Sequence, residues 1–279
     1  MSTNSPILTI RPSQGWGRLD LRDLWEYRDL LWFNVWREVK AKYRQMALGP
    51  VWIVLQPIME MVVFSFIFGR VARLSDEGIP YFLMVYVAMV PWSFFANASN
   101  QSVGSLVNQM GVISKVYFPR MIIPLSATLG GLVDFAISFS VFFLVMLIMG
   151  FYPGWPFLMM PVYLLLAMLT ALAVGLWTAS LTVRFRDFRL IVQYGTRLAM
   201  FMTPVAYSAR EFEKNIPNWV WLYQLNPMYW VVEGFRWSLL GIGRPPSLYM
   251  LYSVVIVLVT LVSGAYLFRR TERSIVDLL

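Results

Sequence analysis

Six long stretches of apolar residues, separated by shorter polar segments, dominate the chain after residue 50. An α-helix rises about 1.5 Å per residue, so crossing a hydrocarbon core about 30 Å thick takes roughly 20 residues. Each stretch approaches or exceeds this length, which predicts an all-α membrane protein with six transmembrane helices. The predicted spans are residues 51–68, 81–98, 121–149, 157–182, 190–207 and 248–268.

The basic residues between the spans predict the orientation. If the N-terminus lies in the cytoplasm, 16 of the 23 Lys and Arg residues fall in cytoplasmic segments and six in external ones. An excess of Lys and Arg is typical of cytoplasmic loops. The sequence therefore predicts that both termini are cytoplasmic.

Residues 1–48 are predicted to form a cytoplasmic N-terminus, and residues 49–279 the transmembrane domain. The first 14 residues lack an apolar core, so no cleavable signal peptide is expected. Residues 19–48 carry apolar residues at helical spacing among several Arg and Lys, a pattern typical of an amphipathic helix at a membrane surface. Such a helix is either a membrane anchor or an interfacial helix that also docks a cytoplasmic partner. The apolar positions are Leu24, Tyr27, Leu31, Val35 and Val39.

Two connecting segments have features of their own. Residues 104–119 are too polar to span, and Pro119 is expected to end them before the third span begins. The external segment 208–246 is rich in Trp and Tyr, and its apolar stretches are too short to span. Asn226 and Pro227 predict a helix start, with Asn as the cap and Pro at the first helical position. This segment predicts short re-entrant helices; the alternative is an aromatic belt resting at the membrane interface.

Three ionisable residues fall within the predicted spans: Glu60, Asp134 and Arg197. Charged side chains are costly in lipid and usually face a bundle interior or a partner group. Glu60 and Arg197 lie at a similar distance from the cytoplasmic ends of their spans, which predicts an ion pair between them. Asp134 lies deeper and has no evident partner.

Composition excludes several kinds of chemistry. Hydrophobic residues make up 58% of the chain and charged residues 14%, with a mean hydropathy of +0.61, whereas soluble domains carry about 25% charged residues. The chain has no Cys and no His, so it lacks thiolates, the commonest general base and the commonest metal ligand. It also lacks a G-x-x-x-x-G-K-[ST] phosphate loop. No catalytic residue, metal site or cofactor is therefore expected in this chain.

Several motifs occur together in order along nearly the whole chain. Residues 43–52 read YRQMALGPVW and precede Gln56-Pro57; residues 90–95 read VPWSFF, and residues 113–120 read ISKVYFPR. Residues 226–228 read NPM and are followed by EGFR at 233–236. The combination resembles the permease subunits of polysaccharide-exporting ATP-binding-cassette transporters, which export O-antigen, capsule or teichoic acid.

This resemblance implies a homodimer in the bacterial inner membrane, associated with two copies of a separate ATPase that binds ATP and Mg²⁺. A lipid-linked polysaccharide would cross through a channel at the homodimer interface, where aromatic faces and their polar atoms suit sugar rings. The predicted channel residues are Trp52, Phe94, Phe95, Tyr194, Phe201 and Tyr207. The residues expected to couple to the ATPase are Arg37, Tyr43, Ser105, Val112, Ile113, Lys115 and Tyr117. Arg197 would, as an alternative to pairing with Glu60, contact the lipid pyrophosphate, since Arg suits phosphate recognition.

Other functions stay open at this point. An ATP-driven exporter of a lipid, a drug or another small molecule would have a similar outline. A membrane-embedded glycosyltransferase or acyltransferase would need clustered acids or bases, but the Asp and Glu residues are scattered. An ion-coupled secondary transporter is indicated only by Glu60 and Asp134.

Overall fold

The structure is a computed structural model that describes residues 21–44, 51–64, 66–67, 78–109, 111, 118–215 and 217–277. These residues form helices and connecting turns, with no strand among them. Two 3₁₀ turns, Trp155–Met159 and Pro217–Trp219, precede α6 and α9. The helices are α1 (Leu21–Glu26), α2 (Arg28–Arg44), α3 (Val51–Phe64), α4 (Tyr81–Asn108), α5 (Ile122–Ile148), α6 (Met160–Arg184), α7 (Phe188–Phe201), α8 (Ala209–Asn215), α9 (Val220–Gln224), α10 (Pro227–Leu240) and α11 (Leu248–Asp277).

Among the described residues, four helices are long and apolar enough to cross a membrane: α4, α5, α6 with its preceding 3₁₀ turn, and α11. They correspond to the second, third, fourth and sixth predicted spans. The all-helical fold and these four apolar helices are therefore confirmed. The total of six spans and the cytoplasmic location of both termini stay predictions.

The helices of the two remaining predicted spans are shorter. α3 has 14 residues, and part of the first predicted span lies outside the described residues. α7 also has 14 residues, or about 21 Å at the rise of an α-helix. The prediction of a helix through residue 207 was wrong, since residues 202–207 form turns. Pro204 explains why α7 ends early. The ring of a proline clashes with the residue before it, here Thr203, and disfavours the helical conformation of that residue.

α4 is the central helix. Within its most apolar stretch 78% of the residues are buried, against 28% to 39% in the other three long helices. It packs against α5 and α6, and small residues allow close approach on both sides. A Cβ added at Gly175 of α6 would lie 2.6 Å from the Ser102 Cβ, and one at Gly131 of α5 would lie 3.3 Å from the Phe94 ring.

α10 is inserted among the long helices. The Asn226 side chain accepts a hydrogen bond of 3.0 Å from the Met228 amide, and Pro227 occupies the first helical position. The predicted helix start is thereby confirmed. Gly241, with φ of 71°, ends the helix in the left-handed conformation that glycine adopts readily. Because α10 is almost wholly buried and has only 14 residues, it forms part of the core without being long enough to span a membrane.

A buried ion pair on α10 holds the turn that follows α7. The Arg236 guanidinium lies 2.8 Å from the Glu233 carboxylate, and each side chain is only 2% exposed. The guanidinium also donates to the carbonyls of Val205, Tyr207 and Met84, at 2.9, 3.1 and 3.3 Å. Although the sequence pattern placed Arg236 among the external loop charges, it is a core residue that joins α10, α4 and the turn.

We expect Arg236→Met to be strongly destabilising. It leaves the Glu233 carboxylate buried without its cation and removes the donor of three carbonyls, and breaking a buried pair costs about 3–5 kcal/mol. Thermal unfolding in detergent should show a markedly lower midpoint. The matched control is Arg186→Met, in the exposed turn before α7, which should unfold like the wild-type protein. An unchanged midpoint for Arg236→Met would contradict the structural role of this pair.

Candidate functional site

One face of α4 is polar along much of its length. We call Ser93, Asn97, Asn100, Gln101 and Asn108, together with Gly104 between them, the polar stripe. Apart from the adjacent Asn100 and Gln101, they follow one another at intervals of three or four residues and so share one side of the helix. The spacing of these polar residues is visible in the sequence. It was overlooked because the second predicted span was identified from its average hydropathy.

Three neighbouring cavities follow the polar stripe, and Asn97 lines all of them. The first, about 660 Å³, lies between α4 and α7. The second, about 540 Å³, lies between α4, α2 and α5, and the third, about 280 Å³, between α3, α4 and α5. We refer to the three together as the groove.

α7 supplies the opposite side of the groove. Its groove-lining residues share one face of the helix, and the Asn100 amide donates to the Thr196 hydroxyl across the groove at 3.3 Å. The other face exposes apolar side chains, including Ile191 and Leu198. The lining residues of α7 are Arg189, Gln193, Thr196, Arg197, Met200 and Phe201.

Asp134 lies at the junction of the second and third cavities and is bound by α2. Lys42 forms an ion pair with its carboxylate, and the Tyr43 hydroxyl donates to it at 2.8 Å. The sequence showed no evident partner for Asp134, and the structure identifies Lys42 and Tyr43 as its partners. Its partners lie about 90 positions earlier in the chain, on a helix that the sequence placed at the membrane surface.

A second set of hydrogen bonds ties α2 to the same helices. The Glu38 carboxylate accepts from the Gln109 amide at 3.0 Å and from the Ser126 hydroxyl at 3.2 Å, and Arg37 donates to Gln109 at 2.8 Å. Burial raises the pKa of Glu38, although these hydrogen bonds and the charge of Arg37 act in the opposite direction. α2 is thus joined to α4 and α5 at several points.

Most of the predicted apolar positions in and before α2 lie against the protein, but Tyr27, between α1 and α2, is exposed. Val35 and Val39 are buried, and a Cβ added at Gly130 of α5 would lie 3.9 Å from Val39, an ordinary van der Waals distance, so α2 packs directly on this part of α5. On α1 and α2, four aromatic side chains are exposed instead. They are Trp25, Trp32, Phe33 and Trp36.

The structure brings some of the predicted channel aromatics to the groove. Trp52 and Phe201 line it and are 45% and 60% exposed. Phe94 also lines it but is buried, with its ring 5.9 Å from that of Phe135. Tyr194 is exposed on α7, where the Arg197 guanidinium lies 5.9 Å from its ring centroid.

Two of the predicted aromatics make other contacts. Phe95 is buried against Trp92, with ring centroids 5.4 Å apart. The Tyr207 hydroxyl donates to the Phe201 carbonyl at 2.9 Å and shares a hydrogen bond of 2.7 Å with the Tyr223 hydroxyl. A channel role for the six aromatics stays a prediction.

The predicted coupling residues are only partly described. Arg37 and Tyr43 make the contacts given above, and buried Ser105 lines the second cavity and donates to the Ser102 carbonyl at 2.7 Å. Val112, Ile113, Lys115 and Tyr117 lie outside the described residues. The Glu60 side chain does too, so its predicted pairing with Arg197 is untested.

The groove offers binding chemistry of a particular kind. Amides, hydroxyls and guanidiniums donate or accept hydrogen bonds along it, and aromatic rings lie beside them. Such a surface suits a ligand rich in hydroxyl groups. Within the described part of the chain, no three Asp or Glu residues come together to hold a metal ion.

The Lys42–Asp134 contact gives a testable expectation. Among the described residues, Lys42→Met leaves the largely buried Asp134 carboxylate with the Tyr43 hydroxyl as its remaining side-chain donor, at a cost of about 1–3 kcal/mol. Adding Asp134→Asn removes the charge and should recover most of the loss in the thermal unfolding midpoint. Lys40→Met, at an exposed position of the same helix, is the control. Equal midpoints for Lys42→Met and Lys40→Met would show that the ion pair is not stabilising.

The chain is similar in sequence to several known proteins. The chain is 29% identical over 254 residues to the O-antigen export system permease protein RfbA of Myxococcus xanthus, covering 90% of this chain and 96% of the relative. It is 24% identical over 209 residues to RfbA of Klebsiella pneumoniae, covering 75% and 79%. It is 22% identical over 244 residues to the polysialic acid transport protein KpsM of Escherichia coli, covering 85% and 92%. Residues 29–240 match the ABC-2 type transporter family, to which this chain belongs.

Proposed function

We propose that this chain is the permease subunit of an ATP-driven exporter that moves a lipid-linked polysaccharide across the bacterial inner membrane. In this proposal the chain has six spans, counting α3 and α7, and both termini are cytoplasmic. The observation that carries the proposal is the groove along α4, which presents amides, hydroxyls and aromatic rings among helices that are otherwise apolar.

The groove is open on one side. A polar group that faces lipid without a hydrogen-bond partner costs several kcal/mol of free energy. An open polar groove at membrane depth should therefore be shielded from lipid by another protein surface. The helices beside it, α3 and α7, expose apolar side chains, such as Met59 on α3 and the groove-lining Phe201 on α7. A second copy of the chain, packed through these faces, would close the groove into a channel. The proposed assembly is a homodimer.

The lining of the groove fits a polysaccharide as its cargo. Sugar hydroxyls exchange one hydrogen-bond partner for another as they pass Asn97, Asn100 and Gln193, and Trp52 and Phe201 offer flat faces to sugar rings. The relatives are by name a permease for O-antigen export and a transport protein for polysialic acid. Both names refer to export or transport of polymers of sugars, which supports the same class of cargo here.

The energy for transport would come from two copies of a separate ATPase, because this chain has no phosphate-binding loop. Residues 105–117 and α2 are the proposed contact with it. The attachment of α2 to Asp134 gives such a contact a direct route to the groove, since a shift of α2 would displace a groove-lining residue.

Filling the groove tests the proposal. Asn97→Trp and Gln101→Trp each put a bulky ring at an exposed position that lines the groove, and we expect at least about a tenfold loss of exported surface polysaccharide, an effect of about 1.4 kcal/mol. Folded yield in detergent should not change. Asn97→Ala, which takes up less space, should keep export.

The matched control is Leu251→Trp on the exposed face of α11, away from the groove. It should export normally. Wild-type export by Asn97→Trp, or an equal loss in Leu251→Trp, would contradict the groove as the path.

A further inference from the structure

We propose that the cytoplasmic end of α11 positions the segment that contacts the ATPase, through a clamp formed by Glu272 and Arg120. The inference rests on the proposed function, in which residues 105–117 meet the ATPase. It goes beyond that function, because it gives α11 a part in passing movement from the ATPase to the groove. In this role the two residues act on export through the segment, without binding the cargo.

Glu272 and Arg120 make three contacts, although 152 positions separate them in the chain. The Arg120 Nε lies 3.7 Å from the Glu272 carboxylate, and the Arg120 Nη1 donates to the Glu272 carbonyl at 2.8 Å. The backbone amide of Arg120 donates to the same carboxylate at 3.4 Å. Because two of the three contacts involve backbone atoms, the clamp fixes the course of the chain at residue 120, three residues after the segment ends.

The two ends of the segment also lie in one apolar cluster. Leu106, at its start, and Phe118, just after its end, are 1% and 5% exposed and pack together with Phe268 of α11. Glu272 lies four residues beyond Phe268, about one helical turn further along α11. The clamp therefore extends a contact that apolar packing already makes between α11 and the ends of the segment. The buried residues of this cluster are Leu106, Phe118, Ile122, Ile123, Leu176, Ala179, Ala265 and Phe268.

α11 gives the clamp a firm support, because it is held on α6 by contacts of its own. The indole nitrogen of Trp177 donates to the Thr260 carbonyl at 3.0 Å and to the Ser263 hydroxyl at 3.2 Å. The two helices approach closely at Gly264, where an added Cβ would lie 2.8 Å from the Trp177 ring. Loss of the clamp should therefore free residue 120 more than it moves α11.

α11 is long enough to bring Glu272 beyond the membrane. Its 30 residues correspond to about 45 Å, whereas the hydrocarbon core is about 30 Å thick. The helix continues to Asp277, past the end of the sixth predicted span at residue 268. In the proposed orientation this end of α11 projects into the cytoplasm, on the side where the segment meets the ATPase.

α2 holds the segment near its other end. Arg37 donates to Gln109 at 2.8 Å, and Gln109 donates to Glu38 at 3.0 Å. The segment is thus held by α2 at residue 109 and by α11 at residue 120. A connection fixed at both ends passes a push on to α4 and α5, which it joins, whereas a connection free at one end yields. Without the clamp, ATP hydrolysis should continue while less of its movement reaches α5.

The test uses the full-length permease purified together with its ATPase, and the same variants in exporting cells. The ATPase bound per permease, the rate of ATP hydrolysis in nanodiscs and the polysaccharide at the cell surface are measured. For Arg120→Met, which removes both guanidinium contacts, we expect the ratio of export to hydrolysis to fall about fivefold or more. Glu272→Gln keeps the backbone carbonyl and should lower the ratio less. The amount of bound ATPase should not change in either variant.

The matched control is Arg270→Met, at an exposed position of the same helix, which should keep the wild-type ratio. The ratio separates positioning from stability. A purely structural role of the clamp would lower the amount of folded complex, so hydrolysis and export would fall together and their ratio would not change.

The proposal is overturned if both clamp variants keep the wild-type ratio or if Arg270→Met lowers it as much as Arg120→Met. Where Arg120→Met does not fold, Glu272→Gln decides alone, and a wild-type ratio in that variant overturns the proposal. Absent export by the wild-type complex would instead refute the proposed function. Normal wild-type export with an unaltered ratio in the variants would refute only this inference.

Discussion

The buried pair of Arg236 and Glu233 is the interaction on which the rest of the structure depends. In a hydrocarbon environment every backbone polar group needs a partner, and irregular backbone is tolerated only where protein supplies one. α7 ends at Phe201, and the turn that follows has carbonyls at Val205 and Tyr207 that accept from the Arg236 guanidinium. Glu233 neutralises the guanidinium, so a charged donor can be buried there. Without this pair, the turn after the short α7 would lose the charged donor that two of its carbonyls share.

A second polar contact connects the groove with the helix that precedes the first predicted span. Lys42 and Tyr43 of α2 reach Asp134 on α5, while Glu38 and Arg37 bind Gln109 at the end of α4. α2 is therefore fixed to the groove by side chains and by its packing at Gly130. In the proposed transporter this makes α2 a rigid link between a cytoplasmic partner and the residues that contact the cargo.

The sequence predicted what depends on local pattern. Apolar runs identified α4, α5, α6 and α11, and Asn226-Pro227 identified the start of α10, because hydropathy and capping are properties of neighbouring residues. The end of α7 was missed although Thr203-Pro204 indicated it locally. The partner of Asp134 and the burial of Arg236 could not be derived, because they depend on contacts between distant segments. Of the candidate site, the sequence named Trp52, Phe94, Phe201 and Arg197, but not the polar stripe of α4, whose polar residues are averaged away in a long apolar window.

The central claim is that the glycan passes along the groove beside α4. Photocrosslinking during export tests it most directly, with a photoreactive amino acid placed singly at Ser93 or Gln193, which line the groove, and at Val255, exposed on α11. The account predicts glycan-linked permease from the two groove positions while ATP is supplied, and none from Val255. Glycan adducts from Val255 alone, or from all three positions equally, would contradict it.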